Sequence, residues 1–397
     1  VTQTLPMDLW TQRADLAQLV AVLGADNVRW VGGAVRDTLL NDEVRDIDAA
    51  TPLLPDEVME RLMAAGIRVV PTGIDHGTIT ALLDDGPVEI TTLRHDVSTD
   101  GRRATVAFAR DWRDDAARRD FTINALYAHP ETLEISDYFG GLGDLAARRI
   151  RFIGDARERI REDHLRILRY YRFQARFGSE LDDEAEQACA DLAHTLKGLS
   201  RERVATELLS LLGLPDPYAT VLRMRERGVL PVILPEAGRA ELARLELLVG
   251  IEAQYGAETD PLRRLAALLP AVPAIAENVA ARLRLSRAQR DRLTSLAARS
   301  PADGEAPLAL AYREGTENAR DRLLLTNQDP RPVIEWPIPQ FPLKGGEIVA
   351  RGVGAGPEVA RLLRQVESRW IDEGFPGRER VEELLAEQLR GAPTPPN

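Results

Sequence analysis

Between Asp8 and Gly24 the apolar side chains recur at intervals of three and four (Leu9, Leu16, Leu19, Val20, Leu23). That period predicts an amphipathic helix stopped by glycine. The spacing then shortens to β-rich runs at VRWV (28–31), DIDAA (46–50), IRVV (67–70), TITALL (78–83) and PVEITTL (87–93), with a helical stretch, PDEVMERLMAAG, between the second and third. These runs predict an α/β or α+β unit of roughly 140 residues. The segment RHDVSTDGRRATVAFARDWRDD has too much charge and too little apolar periodicity for a core. It is expected to be a mobile loop crossing the mouth of a site. After Arg149 the strand pattern ends, and helix follows helix through REDHLRILRYYRFQARFG, DDEAEQACADLAHTLKG and SRERVATELLSLLG. The final GAPTPPN is expected to be disordered.

Length and composition narrow the picture. A chain of 397 residues is expected to form two to four packed units, and 44% hydrophobic with 29% charged residues describes a soluble globular protein. Cys189 is the only cysteine, which leaves no disulfide framework and no cysteine-based zinc cluster, and agrees with a reducing compartment. No positively charged leader with an apolar block opens the sequence, and no run approaches the length of a membrane span, so a cytoplasmic location is expected. The net charge of −12 argues against binding nucleic acid through overall charge. The distribution is uneven: Arg148 to Arg176 holds ten arginines against four acids.

Three patterns carry candidate chemistry. Asp46 and Asp48 sit two apart at a strand start, so their carboxylates share one face with Cα atoms about 6.6 Å apart. A hard divalent cation is the natural occupant of such a pair, although a bare D-x-D is more often a solvated strand end. Upstream lies GGAVRD, where Gly32 and Gly33 follow a strand and precede a helix, and Arg36 adds a fork of donors. This geometry lets bare backbone N–H groups approach a phosphate, but it is neither a Walker loop nor G-x-G-x-x-G. Glu89 alternates with Val88 and Ile90 and can supply a third carboxylate.

Taken together, GGAVRD, DID, TGIDHGT (72–78), RRDFTINAL (118–126), REDHLRILR (161–169) and SRERVATELL (200–209), in this order, resemble the bacterial and eukaryotic family of tRNA CCA-adding enzymes and poly(A) polymerases. The resemblance covers about residues 28–210 and is thinner beyond, at ILPE (233–236) and FPLKGGEIVARGVGAGP (341–357). It implies an α+β nucleotidyltransferase head with a mixed sheet and helices (1–148), then an all-α neck carrying a base template (149–212) and a helical body and tail that bind tRNA (213–397). It also implies two Mg2+ ions on Asp46 and Asp48, ribose and triphosphate contacts from Arg119, Asp120 and Asn124, and CTP and ATP as substrates. Asp120 or Thr122 can equally serve as a helix N-cap.

In the family, Glu-Asp-x-x-Arg templates the incoming base, which maps onto Glu162, Asp163 and Arg166. REDHLRILR reads as a helix, so Asp163 and Arg166, three apart, are expected on one helical face. A carboxylate accepts and a guanidinium donates, matching the amino donor and ring-nitrogen acceptor that cytosine and adenine share and that guanine and uracil reverse. An ordinary ion pair is the alternative at this spacing. Arg169 is a further nucleotide contact, and Arg172 and Arg176 belong to the arginine-rich stretch expected to face the tRNA acceptor stem and 3′ end. The polar loop from Asp96 to Arg113 falls where the family has a segment linked to the final A. The sequence departs from the family's pattern at His164, Asn41 and Glu347. A poly(A) polymerase is the alternative within the family, and a non-catalytic RNA-binding relative the alternative outside it.

Overall fold

The computed structural model describes residues 3–100 and 103–391, so the terminal GAPTPPN, apart from Gly391, lies outside the described residues. The chain divides into two compact units, Val1–Pro235 and Glu236–Asn397.

The first unit is built on a seven-stranded mixed sheet. The expected N-terminal helix is a short 3-10 turn, Trp10–Gln12, and then α1 (Ala14–Leu23), ended by Gly24 at φ 90°. There follow β1 (Arg29–Val31), α2 (Gly33–Leu39), β2 (Ile47–Thr51), α3 (Pro55–Ala64), β3 (Arg68–Gly73), β4 (Thr78–Leu83) and β5 (Gly86–Thr92). Each expected strand is present: β1, β2, β4 and β5 carry buried apolar residues, whereas β3 is largely exposed and packs on α3. The sheet order is β3-β4-β5-β2-β1-β8-β9, with β8 (Leu126–Ala128) and β9 (Ile135–Asp137) added on the far side of β1. Those last two have three residues each, too few to show a period. Only β2 and β5 run parallel in this order, since the chain crosses over through α3, β3 and β4 between them.

The polar segment expected to be a loop is ordered as a ribbon. β6 (Arg94–Asp100) pairs antiparallel with β7 (Arg103–Phe108), and residues 101 and 102 lie outside the described residues. The pair forms a two-stranded sheet of its own; β6, RHDVSTD, is nearly all polar, and the alternation of β7, RATVAF, lies inside a charged run that reads as a loop. α4 (Trp112–Ala117) follows, capped by the Asp111 side chain. Below it Val31, Ala50, Leu93, Ala116 and Tyr127 form a core that sets β1, β2 and α4 against one another.

From α5 (Gly141–Ala146) onward the unit is helical: α6 (Ala156–Glu162), α7 (Arg166–Phe177), α8 (Asp183–Leu192), α9 (Arg201–Leu212), α10 (Tyr218–Glu226) and α11 (Leu230–Ile233). An aromatic stack locks neck to head, with Phe121 4.9 Å from Phe152 and 5.3 Å from Phe173 between ring centroids.

The second unit is helical from Arg239–Tyr255 to Arg378–Gly391. Its centre holds a buried ionic cluster in which Arg263 bonds Glu252 and Asp321, both at 2.8 Å, and Arg264 bonds the other oxygen of Glu252 at 2.8 Å. Trp370 anchors a separate apolar core among Val366, Val381, Leu384 and Ile348.

Candidate active site

A cavity of about 660 Å³ opens between the head sheet and α7. Of the residues singled out from sequence, Gly32, Gly33, Arg36, Asp46, Asp48, Glu89, Arg119, Asp120, Asn124, Asp163, Arg166, Arg169 and Arg172 line it, whereas Glu162 and Arg176 do not.

One wall is the turn from β1 into α2. Gly32 adopts φ 66°, and a Cβ there would stand 3.4 Å from an Nη of Arg119. The backbone conformation favours glycine, while the approach to Arg119 is an ordinary contact. Arg36 is buried, with its Nε donating to Asp37 at 2.8 Å, one Nη donating to Asn124 Oδ1 at 2.5 Å, and its plane 4.4 Å from the ring centroid of Phe177. Burial lowers its pKa, while Asp37 works in the opposite direction.

The acidic wall comes from β2 and β5. Asp46 is exposed and precedes β2, which begins at Ile47, so the two aspartates do not both belong to the strand as expected; both nevertheless face the cavity. Within the ladders Asp48 is opposite Val31 on β1 and Glu89 on β5. The parallel pair thus brings in the third carboxylate. Burial pushes the Asp48 carboxyl above its ordinary value, Glu89 and Asp46 push it further, and Arg119 counteracts them. Carboxylates that repel one another and offer oxygen donors only fit a hard divalent cation.

The floor is RRDFTINAL. Asp120 accepts from the backbone N–H of Phe121 at 2.8 Å and from Asn124 at 3.1 Å, and its other oxygen takes Arg169 at 2.5 and 2.8 Å. Burial raises this carboxyl, but Arg169 and the hydrogen bonds outweigh it and hold it below the usual range. Neither Asp120 nor Thr122 is a helix cap: the short turn Thr122–Asn124 has no side-chain cap, and Thr122 donates to Asp144 at 2.6 Å. Both are instead spent on tertiary bonds that join the floor to α7 and α5.

Sequence reasoning missed Asp115, the residue that organises this floor. Its side chain is 1% exposed. One oxygen accepts from Arg118 Nε at 2.9 Å and the Arg94 backbone N–H at 3.3 Å; the other accepts from the Tyr127 hydroxyl at 2.7 Å and Arg119 at 3.3 Å. Burial pushes the carboxyl up, yet Arg119, Arg118 and Tyr127 hold it below its ordinary value. Its spacing of three and four before Arg118 and Arg119 was the available signal.

The template segment is not one helix. α6 ends at Glu162, Asp163 is extended at φ −148°, and α7 begins at Arg166. His164, where the family has proline, accommodates the break by placing Nδ1 2.9 Å from the Ile160 carbonyl of α6. Asp163 and Arg166 therefore do not share a helical face, and the simple ion pair between them does not form. Asp163 takes Arg203 of α9 at 2.7 Å, while Arg166 bonds Glu162 at 2.5 Å and the carbonyls of Arg159 at 2.9 Å and Arg118 at 3.3 Å.

The arginine-rich stretch is also less basic in the fold than in the sequence. Eight of its ten arginines form ion pairs, most with acids from elsewhere: Glu180, Asp144, Asp191, Asp120, Glu207 and Asp37. Arg172 is held by Glu207 at 2.6 Å and Arg176 by Asp37 at 3.5 Å.

A second group of carboxylates, Asp260, Glu317 and Asp321, gathers within 4.8 Å in the other unit. Arg292 bonds Asp260 at 2.7 Å and Asp321 at 2.5 Å and lies 3.4 Å from Glu317, so a guanidinium already supplies its positive charge. No helix among the described residues is long and apolar enough to cross a membrane.

Residues 28–151 match the family described as the poly A polymerase head domain, and residues 178–240 match its probable RNA and SrmB-binding site. The mitochondrial CCA tRNA nucleotidyltransferase 1 of Mus musculus is 34% identical over 393 residues, 94% of this chain and 89% of that protein. The CCA-adding enzyme of Streptococcus uberis is 43% identical over 189 residues, 47% of this chain and 46% of that protein. Among solved structures, the Bacillus stearothermophilus CCA-adding enzyme in complex with CTP superposes with a TM-score of 0.77 at 27% identity, covering 97% of this chain and 98% of that one.

Proposed function

The chain belongs to the CCA tRNA nucleotidyltransferase family, and from that premise we propose that the cavity of the first unit is where C, C and A are joined to the 3′ end of tRNA. It uses CTP and ATP. The relatives matched over most of the chain carry the CCA-adding activity, so the poly(A) polymerase alternative is set aside even though the head family bears that enzyme's name. The observation that carries the site assignment is convergence: Asp48 and Glu89 of the sheet, Asp46 just before it, and Asp163 and Arg166 from the neck line one cavity.

In the reaction the RNA 3′-hydroxyl oxygen forms a bond to the α-phosphorus, and the bond from that phosphorus to the bridging oxygen breaks as pyrophosphate leaves. Asp46 and Asp48 would hold Mg2+, which when bound neutralises the triphosphate and favours ionisation of the attacking hydroxyl. Glu89, beside Asp48, orients that end of the acidic wall. Arg36 and Arg119 face the phosphates, with Gly32 and Gly33 letting the backbone come close. Asn124 offers its remaining Nδ2 hydrogen to the ribose hydroxyls, and Asp120, kept ionised by Arg169, holds Asn124 in place for that contact. Asp163 accepts from the exocyclic amine of C or A, and Arg166 donates to the adjacent ring nitrogen. Arg172 and Arg176 contact the acceptor stem through the N–H groups that Glu207 and Asp37 leave over, reading backbone and shape. Head, neck and body are read as residues 1–148, 149–212 and 213–397. The lone buried thiol, Cys189, supports a reducing compartment, and we read it as the cytoplasm.

The test is a tRNA lacking its last three nucleotides, incubated with CTP, ATP and Mg2+, with the product ends sequenced. Asp48→Ala is expected to abolish incorporation while tRNA binding persists. Full activity in that variant would refute the metal assignment, and a ladder of A on an unrelated primer would refute CCA addition.

A further inference from the structure

Glu162 is usually counted with the base-reading pair because it adjoins Asp163 in sequence, but its carboxylate does another job here. Among the described residues the cavity lining includes Asp163 and Arg166 and neither Glu162 nor Arg159. Each Glu162 oxygen takes one arginine: Oε1 takes Arg159, and Oε2 takes Arg166 at 2.5 Å. The two arginines then reach across to successive carbonyls at the end of α4, Arg159 to Ala117 at 3.2 Å and Arg166 to Arg118 at 3.3 Å. Arg166 also donates to the Arg159 carbonyl at 2.9 Å. All three side chains are less than one-fifth exposed, so these bonds are poorly exchanged for water.

The N–H count of Arg166 gives this arrangement its meaning. A guanidinium carries five N–H groups. Three are engaged by Glu162, the Arg159 carbonyl and the Arg118 carbonyl, which leaves Nε–H and one Nη hydrogen for the cavity. That remaining edge reads a base only if the guanidinium plane is fixed. The plane is fixed only if Glu162 presents a single oxygen to it. Without Arg159 on Oε1, Glu162 is free to rotate and take Arg166 in a two-bond fork, the preferred geometry of an Arg–carboxylate pair. The fork would consume a second edge and turn the donors out of the cavity.

We infer that Arg159 is a positioning residue for base choice, acting through Glu162 on Arg166 without touching the nucleotide. The inference rests on the template reading of Asp163 and Arg166. The test uses the full chain carrying Arg159→Gln or Arg159→Lys, with kcat/KM for CTP against UTP on tRNA lacking CCA, and for ATP against GTP on tRNA ending in CC. In Arg159→Gln the preference for the correct base falls by about tenfold, the scale of one misdirected hydrogen bond. Arg159→Lys, which keeps the charge but cannot span both Glu162 and the Ala117 carbonyl, falls by less. A merely structural role would lower all four nucleotides together, so uniform loss overturns the inference, as does discrimination unchanged in both variants. Should Arg159→Gln melt early, Arg159→Lys decides alone. Asp163→Ala is run in parallel. If it too leaves base choice intact, the template reading has failed; if it relaxes choice while both Arg159 variants keep it, only the Arg159 inference has.

Discussion

Replacing Asp115 by asparagine removes one negative charge from a site 1% exposed and changes almost no volume. Four donors lose their ionised acceptor: Arg118, Arg119, the Tyr127 hydroxyl and the Arg94 backbone N–H. Deleting one partner of a buried ion pair costs about 3–5 kcal/mol. Arg118 and Arg119 each keep 18% side-chain exposure, which lets water relieve part of that, and the asparagine oxygen can still accept. A loss of roughly 2–3 kcal/mol remains, which for a unit of this size lowers Tm by about 5–10 °C. The pH dependence distinguishes charge from shape. The folded-state pKa of Asp115 is depressed, so its contribution is present above the unfolded value of about 3.9 and is lost as pH falls through the folded value. Thermal denaturation of parent and Asp115→Asn should therefore show a constant gap from neutral pH down to about 5 and a narrowing gap in more acid buffer. A gap under one degree at pH 7 would refute the argument, and a gap independent of pH would assign the loss to packing.

Two further outcomes concern the walls of the cavity. Gly32→Ala forces a Cβ into a φ of 66° and toward Arg119, costing about 1–3 kcal/mol and raising KM for both nucleotides; an unchanged KM in steady-state kinetics would show that this turn does not approach the triphosphate. Asp48→Asn relieves the repulsion from Glu89 and Asp46, so without divalent ions the variant should melt higher than the parent, whereas added Mg2+ should raise the melting temperature of the parent alone.

What the sequence made legible was local. Strands β1 to β5 and the aspartates at the start of β2 could be read because alternation and spacing are properties of neighbours. The ribbon of β6 and β7 escaped because β6 is nearly all polar and the alternation in RATVAF lies inside a charged run, and β8 and β9 because three residues show no period. The template was misread as continuous helix for a similar reason. His164 carries no proline's prohibition, yet the chain breaks there, since Arg203 from α9 holds Asp163 away from the helical path. Asp115 and Arg203 act through partners brought by tertiary packing, so type and position alone left them among ordinary charged residues. The arginine-rich segment shows the same limit in reverse: its sequence charge counted ten cations and overlooked the acids that other elements deliver to them.

The dependence on α9 bears on how the molecule comes to life during synthesis. Glu207 restrains Arg172 and reaches Arg169, and Arg203 restrains Asp163, so groups lining the cavity are tethered by a helix that leaves the ribosome well after them. The ladder between β2 and β5, a long-range parallel contact, can form earlier, once β5 has emerged. A nascent chain halted before Arg201 would thus carry its acidic wall without a fixed reader of bases. A fragment that keeps these tethers needs α9, and a split-protein design should place its break after the first compact unit, which ends at Pro235.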